Sequence, residues 1–328
     1  MRTVLRVLRP VLLAGSIVYL AYVLWDVPSV LGSIRDLRPE PLVGAFVLLL
    51  AALAGTASLW IGLVRYRSES PPHADTVQLL RAFSRSWIAR YLPGSAWSQA
   101  ARWVHTDPAL VARSSLAHSL VDELVLAIGT AAALGLAAWA LSEWGVVAAS
   151  LVLLALGSLT VAFAAHVPRL AGTTLRMLRV VTGGRPPLPP EPGRSQRVRR
   201  AAPLSWFTAG YLLVNAAGGL SFVLVASLVV TFPPNAIPPL MAGYALAFVV
   251  GLVAFFAPAG LGVREAVLTS LTAAALTAPA AALAAVILRA VGIIVDLVFF
   301  LCVELLTVGR RSRRAREDLR EPGPGQST

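Results

Sequence analysis

Apolar residues in this chain form long runs that short polar stretches separate. Several runs reach the roughly 18 to 20 residues that a helix needs to cross a bilayer. They lie at about 10–25, 41–64, 115–141, 145–166, 204–230, 240–256 and 279–307. A further run at 264–278 would extend only about 22 Å as a helix, which predicts a half-span or a tilted partial helix. The pattern therefore predicts an all-α polytopic membrane bundle with about eight spans.

Composition supports this interpretation and excludes an ordinary soluble domain. Hydrophobic residues make up 57% of the chain and charged residues only 13%, whereas soluble domains carry about 25% charged residues. The formal net charge is +12, but the Arg residues flank the apolar runs, as in cytoplasmic loops that face anionic lipid. We therefore expect a multi-pass protein of the cell membrane, with both termini cytoplasmic and no nucleic-acid partner.

One membrane domain is predicted over residues 1–309, and a basic, disordered cytoplasmic tail over 310–328. Within the domain, a cytoplasmic loop at about 168–203 carries many Arg residues. The centre of this loop, GGRPPLPPEPG, is rich in Pro and Gly and favours an extended linker.

Two interrupted hydrophobic segments combine Pro and Gly with Arg: RAFSRSWIARYLPGSAW at 81–97 and FFAPAGLGVREAV at 255–267. Lipid offers no partners to backbone N–H and C=O groups, so a broken helix at membrane depth must lie against protein or a wet cavity. The first segment predicts an amphipathic or re-entrant hairpin that turns at Pro93 and Gly94. Two such breaks in one chain indicate a translocation site.

Ionisable residues inside the apolar runs indicate a structural or functional role, because inserting each one at the centre of a span raises the free energy by roughly 2.5 to 3.5 kcal/mol. Asp122 and Glu123 are adjacent and must point about 100° apart on a helix. Arg289 and Asp296 are seven residues apart and share a face. These charges either bind a ligand or pair with one another and fix helix packing.

The ligand hypothesis predicts a polar groove in which Arg binds a phosphate bidentately and the carboxylates act as counter-charges. A helix start after Gly262 could add backbone donors. The candidate headgroup-binding residues are Arg85, Arg90, Pro93, Gly94, Trp97, Asp122, Glu123, Gly260, Gly262, Arg264, Glu265, Arg289 and Asp296.

No cofactor is expected from the sequence. Its four His residues lack metal-ligand spacing, and Cys302 is the single cysteine, so neither a metal site nor a disulfide framework is predicted. A phosphate-binding loop of the G-x-x-x-x-G-K-[ST] type is also missing, so ATP is not expected to drive the protein directly.

Four motifs give the chain a resemblance to a known family. They are SWIARYLPGSAW (86–97), HSLVDELV (118–125), FFAPAGLGVREAVL (255–268) and LRAVGIIVDL (288–297). In order and spacing they resemble the transmembrane region of the lysylphosphatidylglycerol synthase/flippase family. The resemblance implies a bundle with re-entrant elements that moves a phospholipid headgroup between leaflets. The soluble aminoacyltransferase domain of some members is not expected here, so synthase activity is not implied.

The leading hypothesis is therefore a non-enzymatic lipid translocase that binds an anionic or aminoacylated phospholipid. A separate lipid-modifying enzyme and a second copy of the chain are candidate partners. One alternative is a glycosyltransferase or lipid-modifying enzyme that uses a polyprenyl-phosphate donor, with Asp36 or Glu40 as the catalytic acid. Another is a membrane subunit that anchors a soluble transferase.

Overall fold

The described part of the protein is helical. The structure is a computed structural model, and it describes residues 39–68, 75–91, 97–166, 194–254 and 262–318. Within these ranges helices alternate with short connections, and no β-strand occurs. The predicted all-α class is confirmed, whereas the predicted first span at 10–25 lies outside the described residues.

Six of the described helices are long and apolar enough to cross a membrane. They are α1 (Pro39–Arg67), α4 (Arg113–Trp144), α5 (Val146–Ala165), α6 (Arg194–Val229), α7 (Ile237–Val253) and α9 (Ala278–Asp318). Their apolar parts coincide with six of the predicted spans. The chain is thus a multi-pass membrane protein by the length and composition of its helices.

Two helix ends differ from the boundaries predicted for the loop and the tail. Helix α6 begins at Arg194, inside the predicted loop, and α9 continues to Asp318, beyond the predicted start of the disordered tail. Both extensions are rich in Arg, with some Ala and Glu, and these residues have high helix propensity. Helical geometry can therefore continue after the apolar pattern has ended.

Three of the described α-helices are too short to span a membrane. Helices α2 (Thr76–Ile88) and α3 (Trp97–His105) pack against each other, and a 3-10 turn at Ala89–Tyr91 extends α2. The third, α8 (Val263–Leu276), corresponds to the predicted half-span. At its end the chain reverses at Thr277, whose φ of 69° lies in a region that β-branched residues rarely occupy.

Helix α9 is the element on which the short helices are assembled. It packs against α1, α2, α6 and α8. One apolar cluster joins Phe222 of α6, Leu240 of α7 and Leu268 of α8 to the first half of α9. Another joins Trp60 of α1 and Phe83 of α2 to its second half. The two halves of α9 therefore hold α8 and α2, respectively.

Candidate functional site

The hairpin of α2 and α3 enters the bundle from the Glu304 end of α9. Arg81 and Arg85 bind Glu304 there, with N···O distances of 2.9 and 2.6 Å. The tip of the hairpin binds Asp296, eight residues earlier in α9 and about 12 Å further along its axis. Helix α2 therefore runs antiparallel to α9 and reaches the middle of its apolar part, Ala278–Val308. This position along α9 favours the re-entrant alternative for the predicted hairpin, whose turn at Pro93 and Gly94 lies outside the described residues.

Asp296 accepts three hydrogen bonds from the hairpin tip. The donors are Trp87 Nε1 at 2.9 Å, Arg90 Nη2 at 2.7 Å and the Tyr91 hydroxyl at 2.5 Å. The Arg90 guanidinium also lies over the Trp87 ring, 4.5 Å from its centroid. The tip is thus fixed to a buried carboxylate at mid-depth.

The half-helix α8 approaches the hairpin tip from the opposite end of α9, and its first turn meets Arg289, seven residues or about 10 Å before Asp296. It starts after Gly262, whose φ of 79° favours glycine. Glu265 accepts a hydrogen bond from the Gly262 N–H at 2.8 Å, and its other oxygen lies 3.6 Å from Nη1 of Arg289. The Gly262 N–H, one of the helix-start donors predicted to bind phosphate, is therefore taken by the helix's own Glu265.

The Arg264 guanidinium lies against two aromatic rings. Its Cζ atom lies 4.9 Å from the ring centroid of Tyr244 and 5.6 Å from that of Phe248, both on α7. A Cβ atom at Gly251 would lie 3.0 Å from Cβ of Arg264, so glycine permits this close approach. Among the described residues, no carboxylate lies within ion-pair distance of Arg264.

The adjacent acids of α4 bind different arginines, as predicted from their 100° separation. Asp122 accepts from Nε and Nη2 of Arg67 at 2.5 and 2.7 Å. Glu123 accepts from Arg102, which is 1% exposed. These two buried pairs tie α4 to the end of α1 and to α3.

A cavity of about 260 Å³ lies where the two breaks meet. This volume is far above the roughly 10–15 Å³ that a water molecule needs. Apolar residues of α1, α4, α6, α7, α8 and α9 form much of the wall. Its charged lining consists of Arg90, Arg102, Glu123, Arg264, Glu265, Arg289 and Asp296. Such an arrangement can hold a polar, charged group inside an apolar bundle.

Six of the predicted site residues come together in this cavity: Arg90, Glu123, Arg264, Glu265, Arg289 and Asp296. Arg85 and Asp122 do not line it; Arg85 binds Glu304, and Asp122 binds Arg67. Gly262 caps α8, and Trp97 begins α3. The predicted Pro93, Gly94 and Gly260 lie outside the described residues.

Several residues of the cavity were not predicted. Tyr211 and Asn215 are four residues apart in the apolar run of α6, so their shared helical face was a signal available in the sequence. Both line the cavity, as do Tyr91 and Gln99. Arg102 also lines the cavity, but its partner Glu123 lies on a different helix, and nothing in the sequence specified that pairing.

The alternative sites receive less support from the geometry. Glu40 is exposed in the first turn of α1 and does not line the cavity. Asp36 lies outside the described residues. In the part of the chain that the structure describes, no group of three or more His, Cys, Asp or Glu side chains could hold a metal ion.

Comparison with known proteins adds no family assignment to this geometry. No protein-family model matches the chain, and no curated protein matches it.

Proposed function

We propose that the protein is a lipid translocase that moves a phospholipid headgroup between leaflets through the cavity at the two breaks. The observation that carries the proposal is the position of this cavity. Charged side chains line it near the middle of α9, where a membrane-spanning helix is otherwise apolar. Ionisable residues at that depth typically mark a substrate or ion pathway.

The arrangement of the two short elements also supports transport. The hairpin covers the cavity from the Glu304 end of α9, and α8 covers it from the opposite end. Substrate sites in secondary transporters typically lie between discontinuous helices near the bilayer midplane. In the proposed mechanism, a headgroup enters when one of these elements moves away from α9 and leaves when the other does.

Asp296 has a defined part in this mechanism. It holds Arg90, and the phosphate of an incoming headgroup would compete with Asp296 for the same guanidinium. A phosphate that takes Arg90 would weaken the attachment of the hairpin tip to α9. Binding of the headgroup and movement of the hairpin away from α9 are thereby linked through the Arg90–Asp296 pair. This link does not require a nucleotide. Movement would run downhill or be coupled to an ion gradient through the carboxylates.

The test is exchange of labelled phospholipids between the leaflets of liposomes that contain the purified protein. Arg264→Gln is compared with Arg65→Gln, a matched change at an exposed Arg that binds Thr76 outside the cavity. Loss of one charge-assisted hydrogen bond should slow exchange about ten- to a hundredfold in Arg264→Gln only. Absence of exchange with anionic, zwitterionic and aminoacylated lipids alike would refute the proposal.

A further inference from the structure

The charges around the cavity do not cancel. The described residues that line it include four guanidinium groups and three carboxylates. Three of the guanidinium groups have a carboxylate partner, in the pairs Arg90–Asp296, Arg102–Glu123 and Arg289–Glu265. The described lining therefore has an excess of one positive charge, and Arg264 carries it.

The surroundings of Arg264 hold its guanidinium in place without neutralising it. Tyr244 and Phe248 present ring faces, which attract a cation but leave its formal charge unchanged. Guanidinium N–H groups match the oxygen atoms of a phosphate in a bidentate arrangement. A ligand with a single negative charge would bring the described lining to neutrality. A zwitterion would not, and a cationic headgroup would add to the excess.

Two uncharged groups of the lining indicate what else the ligand carries. The Tyr211 hydroxyl and Oε1 of Gln99 are buried and have no hydrogen-bond partner among the described residues. Both residues line the cavity. Buried polar groups are normally satisfied, so a ligand in the cavity could supply the partner that each of these two lacks among the described residues. A headgroup hydroxyl can donate to Gln99 and accept from Tyr211, whereas a quaternary ammonium group can do neither.

We infer that the cavity selects a phosphodiester headgroup with one net negative charge and free hydroxyl groups over zwitterionic or aminoacylated headgroups. Its phosphate binds Arg264 first and, from there, competes with Asp296 for Arg90. Its hydroxyl groups lie towards Tyr211 and Gln99. This inference rests on the proposed function for the assumption that the ligand is a lipid. It goes beyond that function by naming the charge and the polar groups of the substrate.

The experiment measures lipid binding without relying on transport. Thermal stabilisation of the detergent-purified protein is titrated with phosphatidylglycerol, phosphatidylcholine and lysylphosphatidylglycerol, since a ligand stabilises the folded state according to its affinity. We expect phosphatidylglycerol to bind about ten- to a hundredfold more tightly than the other two. Equal affinity for all three lipids would overturn the inference.

Two charge variants test whether Arg264 sets the preference. Arg264→Gln should remove the preference for phosphatidylglycerol, and Arg65→Gln should retain it. Glu265→Gln keeps an acceptor for the Gly262 N–H but adds one positive charge to the balance, so it should shift the preference towards the more negative phosphatidic acid. If Arg264→Gln fails to fold, the shift in Glu265→Gln still decides the matter. A preference that survives both changes would contradict the assignment.

Failure of the proposed function can be distinguished from failure of the inference. Selective binding without leaflet exchange would refute translocation and leave the charge assignment standing. Exchange of all three lipids at equal rates would support translocation and overturn the assignment. Soluble glycerophosphoglycerol is the further probe: if it binds as tightly as phosphatidylglycerol, the charge assignment is supported and a lipid is not the required ligand.

Discussion

The arginines of the hairpin and of the half-helix have different partners. On the hairpin side, Arg81, Arg85, Arg90 and Arg102 all bind carboxylates. On the half-helix side, Arg264 lies on aromatic rings, and the described residues offer it no carboxylate. Most of the charged side chains in this bundle therefore pair with one another and stabilise helix packing. An arginine that can bind a ligand is identified only after these ion pairs have been assigned.

The hairpin side itself contains pairs of very different burial. Arg102 and Glu123 are almost inaccessible, with side-chain exposures of 1% and 7%, whereas Arg85 is 39% exposed. Removing one partner of a buried pair leaves the other charge buried and uncompensated. Solvent screens an exposed pair. Removing an arginine should therefore have graded effects along the hairpin.

The largest effect is expected for Arg102→Ala. The change leaves Glu123 buried without its partner and should lower the free energy of unfolding by about 3–5 kcal/mol. Thermal unfolding of the purified protein in detergent measures the loss. The double variant Arg102→Met/Glu123→Leu removes both charges and should recover most of it. A single variant as stable as the unaltered protein would mean that the pair does not hold α3 to α4.

An intermediate effect is expected for Tyr91→Phe, which removes one of the three donors to Asp296. A hydrogen bond to a charged group contributes about 1.5–3 kcal/mol, so the hairpin tip should dissociate from α9 more readily. Hydrogen exchange of the α2 amides reports this local opening. Tyr66→Phe, a matched change at a tyrosine that packs on Phe207, should leave the exchange of α2 unchanged. Unchanged exchange in Tyr91→Phe would remove Asp296 from the proposed gate.

The smallest effect is expected for Arg85→Gln. Glu304 keeps Arg81 as a second partner, and exposed pairs contribute only about 0–1 kcal/mol. The Glu304 carboxylate raises the pKa of Arg85, so this guanidinium remains charged. The loss should diminish as salt rises, because mobile ions screen exposed charges. Unfolding in low and high salt tests this, and a large, salt-independent loss would place Arg85 among the buried pairs.

The sequence was sufficient to predict the helices but not their pairings. Long apolar runs gave the spans, and the Pro-Gly interruptions indicated where short helices replace them. The two acids of α4 were correctly expected to diverge. That Asp122 binds Arg67 and Glu123 binds Arg102 could not be predicted, because it depends on the relative rotation and depth of packed helices.

Arg85 shows why the candidate site was only partly predictable. Its position near the first break made it as plausible a ligand-binding residue as Arg90, five residues later. The turn of helix between them decides the matter: Arg85 lies beside Glu304 towards the end of α9, and Arg90 lies beside Asp296 in its middle. Position along α9 thus decides that Arg85 anchors the hairpin and that Arg90 lines the cavity. The hydrophobic pattern of a helix that only partly enters the membrane does not predict how far it reaches along its neighbour.

The position of the cavity halfway along the apolar part of α9 has an electrical consequence. One elementary charge that crosses a whole membrane gains or loses about 2.3 kcal/mol per 100 mV, so a site at half depth senses about 1.1 kcal/mol. At 100 mV, the occupancy of the cavity by a monoanionic headgroup would rise about six- to sevenfold for entry from one side and fall by the same factor for entry from the other, both relative to zero voltage. Lipid exchange under an imposed potassium diffusion potential would reveal this dependence. The sign of the membrane potential would then favour movement of the headgroup in one direction across the membrane.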